Sequence, residues 1–135
     1  MNTIVVGYDE TEPAKRALER AAEQATAFGA KVIVTSVAHA VHGKGIGPDD
    51  PADPPELHRE ELTRAAAFLA ERGVEGEYAL ALGDPASKIV ELAEQRDADL
   101  IVVGTREPSF LMRLLGQSVS GAVQRKARCD VLIVH

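Results

Sequence analysis

Apolar residues recur along the chain in two alternating rhythms. Nearly continuous runs of Val, Ile and Leu at Ile4–Val6, Val32–Val37, Leu100–Val103 and Val131–Val134 predict buried strands. Glu75–Leu82, with polar residues alternating at its start, predicts a strand at a sheet edge. Between these runs the spacing changes to three and four. Ala14, Ala17, Leu18, Ala21, Ala22, Ala25 and Phe28 share one face of a first helix, and Leu57, Leu62, Ala65, Ala66 and Leu69 one face of a second. Ala86, Ile89, Val90 and Ala93 face inward on a third, and a fourth runs through Ala127. Asp9 or Thr11 can cap the first helix, with Pro13 in its first turn and Gly29 free to end it at positive φ. Residues 38–55 hold three glycines, four prolines, two histidines and three aspartates, which predicts a loop or lid.

The order β-α-β-α-β-α-β-α-β predicts a parallel sheet with helices on both faces, and right-handed crossovers make it a doubly wound, Rossmann-like α/β sandwich. Ligands in such folds sit beyond the carboxyl ends of the strands. Here those ends are Gly7-Tyr8-Asp9, Val37-Ala38-His39, Gly83-Asp84 and Gly104-Thr105-Arg106.

A length of 135 residues with 45% hydrophobic content fits one domain over 1–135. With aromatics at 4% and no Trp, the core must be built from Ala, Val, Leu and Ile. A formal charge of -6 argues against nucleic acid or an anionic membrane as partner. The densest basic run, Arg125, Lys126 and Arg128, falls where it complements the end of the last helix. Cys129 is the single cysteine, which leaves neither a disulfide framework nor a cysteine zinc site. No window approaches a membrane span, so a soluble, cytoplasmic protein is expected.

Three stretches, in order, resemble the universal stress protein family: "IVVGYDETEPAKRALERA", "GDPASKIVELAEQRDADLIVVGTR" and "LLGQSVSGAVQRKARCDVLIV". The resemblance covers essentially the whole chain apart from the variable loop at 38–55. It implies an adenine nucleotide α-hydrolase-like fold with five strands in the order 3-2-1-4-5. It also implies ATP or a related adenine nucleotide as a regulatory ligand, with Mg2+, and a homodimer formed through Val131, Leu132, Ile133 and Val134.

In nucleotide-binding members the loop after strand four reads G-x2-G-x9-G-[ST]. Gly104 matches the first glycine, Glu107 and Gln117 stand at the second and third, and Ser118 matches the hydroxyl residue. Gly116 lies one place early. By the same resemblance, Asp9 faces the ribose or a cation and Val37 pairs its backbone with the base. Gly104, Arg106, Gly116, Gln117, Ser118, Val119 and Ser120 would surround the phosphates. Glycines there let backbone N–H groups reach phosphate oxygens, and a helix start adds donors. A carboxylate at Glu107 would oppose the phosphates by about 1 kcal/mol, unless Arg106 or Arg113 offsets it.

Two readings stay open: a nucleotide-binding stress-response module, and a nucleotide-free dimeric scaffold of the same fold. A phosphoacceptor receiver domain would need an Asp ending strand three and a Lys ending strand five, whereas strand three here ends Leu82-Gly83 and strand five runs into His135. An adenylate-forming enzyme would need a general base that the pattern does not supply. No Ser/His/Asp or Cys/His set is expected at the strand ends. His39, His42 and His58 fit no metal spacing, "GKG" at 43–45 lacks the Walker arrangement, and Cys129 reads as inert packing.

Overall fold

A computed structural model describes residues 1–38, 55–105 and 118–135. Five strands, β1 (Thr3–Gly7), β2 (Lys31–Ala38), β3 (Gly76–Leu82), β4 (Leu100–Gly104) and β5 (Asp130–Val134), form one parallel sheet. Its order is β3-β2-β1-β4-β5, as expected, with the reversal of strand order between β1 and β4. The described helices are α1 (Glu12–Phe28), α2 (Pro55–Glu71), α3 (Pro85–Gln95) and α4 (Val119–Lys126).

The two-residue period of the strands sorts the core into two layers. Ile4, Val6, Val32, Val34, Leu100 and Val102 face α1 and α2. Val5, Ile33, Ile101 and Val103 face α3 and α4, where Ala86, Ile89, Val90, Ala93 and Val123 meet them. Each fully buried Val, Ile or Leu contributes about 1.5–3 kcal/mol by leaving water. The central strands carry most of this because both of their faces are covered.

Two expected core residues lie outside it. Phe28 is 58% exposed, being the last residue of α1, where the chain turns away through Gly29 at φ 66. Leu57 is 43% exposed. One helical step is about 100°, so Leu57 sits that far round α2 from the inward stripe of Leu62, Ala65 and Leu69. His58 takes the inward place instead and is buried.

The end of β4 and the start of α1 press together at Gly104. A Cβ there would run into the Pro13 carbonyl and the Ala14 amide, backbone atoms that cannot rotate aside. Gly104→Ala is therefore expected to destabilise by about 3 kcal/mol. Gly29→Ala, whose Cβ meets nothing within 4 Å, should lose only about 1 kcal/mol through its left-handed backbone. Urea unfolding of both variants checks the ranking, and equal losses would contradict it.

Candidate functional site

At the carboxyl end of β1 the chain must turn sharply into α1. Thr11 caps the helix: its Oγ1 accepts from the Ala14 amide at 3.3 Å. Asp9 holds that cap in place, its Oδ1 accepting from the Thr11 amide at 3.1 Å and from the Thr11 hydroxyl at 2.6 Å. Of the two expected caps, then, Thr11 is the cap and Asp9 its support. Glu10, between them, takes φ 62, and its carboxylate receives a forked pair of bonds from Arg64 on α2. That pair is partly exposed, so salt screens it.

A crevice opens over the reversal of strand order. Tyr8 and Asp9 beyond β1, Thr35 and Val37 of β2, and Val103 and Gly104 of β4 line it. Thr11 and Ala14 of α1, His58 of α2, Pro85 and Ile89 of α3, and Val119 of α4 complete it among the described residues. Its volume is about 110 Å³, well below a pocket for a whole drug-sized ligand. Val37, Ile89 and Val103 make its walls apolar. Tyr8 stays a neutral phenol, its pKa pushed up to about 12 chiefly by burial and further by the carboxylates of Glu10 and Glu61.

One buried polar atom beside the crevice is unusual. Thr35 is 1% exposed, and its Oγ1 has no hydrogen-bond partner among the described residues. A buried hydroxyl left so costs about 1–3 kcal/mol.

The start of α4 forms another wall. Ser118 is its cap, accepting from the Gly121 amide at 3.1 Å, and its hydroxyl lies 2.9 Å from that of Ser120. Val119 faces the crevice and Ser120 is buried. Amides and hydroxyls at a helix start are suited to phosphate. The basic run at the end of α4 is partly engaged: Lys126 donates to the Ser87 hydroxyl at 2.9 Å and lies 3.8 Å from Asp84, tying α4 to the start of α3. The structure thus brings Asp9, Val37, Gly104 and Val119 to one crevice, with Ser118 and Ser120 on the helix turn beside it. Arg106, Gly116 and Gln117 lie outside the described residues, as do Glu107, Arg113, His39 and His42.

Behind the crevice lies a polar cluster that the pattern analysis missed. The Ser36 hydroxyl donates to Glu61 Oε2 at 3.0 Å and lies 2.5 Å from His58 Nδ1, which is 3.4 Å from Glu61. All three are buried, so the expectation of no Ser/His/acid set near the strand ends is corrected. Ser36 is 0% exposed and no substrate can reach its oxygen, so the cluster joins α2 to β2 rather than forming a nucleophile. Its signal was present in the helix phase: His58 and Glu61 precede Leu62, Ala65 and Leu69 at inward positions. Burial raises the Glu61 pKa against the opposing effects of Ser36 and His58, and the charges of Glu10 and Asp9 raise it further.

The profile of the universal stress protein family matches residues 1–135. The chain belongs to the universal stress protein family. A Thermus aquaticus universal stress protein is 39% identical, with 98% of each chain covered. A universal stress protein crystallised in complex with cAMP superposes with a TM-score of 0.77 at 34% identity, covering 99% of this chain and 96% of the other. The universal stress protein from Archaeoglobus fulgidus in complex with dAMP has a TM-score of 0.72 at 29% identity, with 100% and 98% covered.

The raised Glu61 pKa sets a pH dependence for this family member. The folded protein holds that proton to higher pH than the unfolded chain does. Stability therefore falls as pH rises from the ordinary glutamate range through the raised value. Glu61→Gln, which does not titrate, should flatten that fall in thermal midpoints measured between about pH 4 and pH 7. An unchanged slope would contradict the assignment.

Proposed function

We propose that the protein is a stress-response module that binds an adenine nucleotide in this crevice as a regulatory ligand. The observation that carries the reading is the crevice itself: a small, largely apolar opening at the reversal of strand order, with the start of α4 at one wall. The cAMP and dAMP complexes of relatives of the same fold support it. In this reading the base lies against Val37, Ile89 and Val103, and Asp9 approaches the ribose. The phosphates turn towards Gly104, Ser118, Val119 and Ser120, with Arg106, Gly116 and Gln117 from the adjoining segment. ATP with Mg2+ and the monophosphates share this base site. The ligand acts by its binding: the Asp9 oxygen nearest the turn is engaged by Thr11, and Ser36 is sealed in the core.

Calorimetric titration with AMP, cAMP and ATP–Mg2+, against GMP and GTP, tests the proposal. Saturable binding that favours adenine is expected, and ligand at 100 times its Kd should add about 2.7 kcal/mol of stability. No heat and no thermal shift with any adenine nucleotide at millimolar concentration would sink the reading. Glu107 and Gln117, standing where the nucleotide-binding pattern that the chain resembles has glycines, would then favour the nucleotide-free scaffold.

The assembly we propose is a homodimer through β5. Among the described residues β5 pairs only with β4, and Val131, Leu132, Ile133 and Val134 are only partly buried. An apolar sheet edge invites a second copy. Sedimentation velocity should give a dimer, and a monomer independent of concentration would refute it.

A further inference from the structure

Glu10 is the joint of the turn between β1 and α1. Before it, the Tyr8 amide donates to the Thr35 carbonyl at 2.9 Å and fixes the end of β1. After it, Thr11 caps α1, and the Asp9 carboxylate reaches across Glu10 to the Thr11 amide and hydroxyl. The turn closes with Glu10 at φ 62, a left-handed backbone that glycine adopts freely and a residue with a Cβ resists. What glutamate adds over glycine at this place is a carboxylate. Its two oxygens take both arms of the Arg64 guanidinium from α2, Nε on Oε1 and Nη2 on Oε2, the latter at 3.0 Å. A forked contact fixes the plane of the carboxylate as well as its distance, which a single exposed ion pair does not. The residues on either side of Glu10, Asp9 and Thr11, both line the crevice.

We propose that Arg64 is a positioning residue for the nucleotide site: by clamping Glu10 it keeps the turn in its left-handed form and so keeps Asp9 and Thr11 in place at the crevice wall. The inference rests on the nucleotide reading above and adds the group on α2 that sets the geometry of this wall. Arg64 does not itself line the crevice, so its effect on a ligand runs through Glu10. Without the fork, the chain relieves the left-handed strain by rotating about Glu10, and Asp9 swings with it. With glycine at this position the strain is gone, and the clamp has nothing left to hold.

A double-mutant cycle on AMP binding tests this. Arg64→Gln should bind AMP about three- to fivefold more weakly than the wild type, with little change in thermal midpoint because the pair is partly exposed. Adding Glu10→Gly should rescue it: the double variant should return to within about 1.5-fold of the wild type. Hydrogen exchange at the Thr11 amide, measured without ligand, should follow the same pattern, faster in Arg64→Gln and restored in the double variant. A loss that persists in full beside Glu10→Gly would mean that the Arg64 charge acts on the nucleotide without the turn, and would overturn the inference. Unchanged AMP affinity in Arg64→Gln would overturn it too, leaving the nucleotide reading standing. Failure of the wild type to bind AMP would overturn both.

Discussion

The crevice depends on the contact between Gly104 and the first turn of α1. Strand order reverses between β1 and β4, and the chain ends of these two strands must diverge to opposite sides of the sheet. That divergence leaves a gap, and the gap becomes a shaped site only if its walls stand close. Gly104 brings α1 against the end of β4 with no room for a Cβ. The Asp9–Thr11 turn then fixes where α1 begins. Glu10, held in a left-handed conformation and forked to Arg64, ties the same turn to α2. Three elements are thereby fixed around one point by short-range sterics and a few hydrogen bonds.

Polar groups near this point divide into those that hold the fold and those that face the opening. Ser36, His58 and Glu61 satisfy one another where β2 meets α2. Their burial raises the pKa of the Glu61 carboxyl, and the set of hydrogen bonds specifies how α2 sits on β2. Thr35, one residue earlier and on the opposite face of the sheet, is buried with its hydroxyl unpartnered among the described residues.

Much of this was legible in the order of residues. The continuous Val and Ile runs marked β1, β2, β4 and β5, and the Ala stripe of α1 appears as read, because buried parallel strands and amphipathic helices follow local periodicity. Gly104 stood out as well, though for a different reason from the one that the structure supplies: its lost Cβ accommodates Pro13 and Ala14. Phe28 and Leu57 misled because an apolar residue near a helix end has the right type without the right neighbour. The Ser36–His58–Glu61 cluster escaped notice since its members look polar, and only their phase against Leu62 and Leu69 places them inside. Thr35 was invisible for a deeper reason. An unpaired hydroxyl is a property of everything around it, and no spacing along the chain encodes that.

The central claim is that the ligand occupies the crevice at the reversal of strand order. Amide chemical-shift mapping of the labelled protein during an AMP titration tests it most directly. The account predicts perturbations confined to Gly7–Thr11, Thr35–Val37, Gly104–Thr105 and Ser118–Ser120, with the amino-terminal ends of the strands unmoved. Saturable shifts centred elsewhere, such as around Asp97 and Cys129 at the opposite end of the sheet, would contradict it.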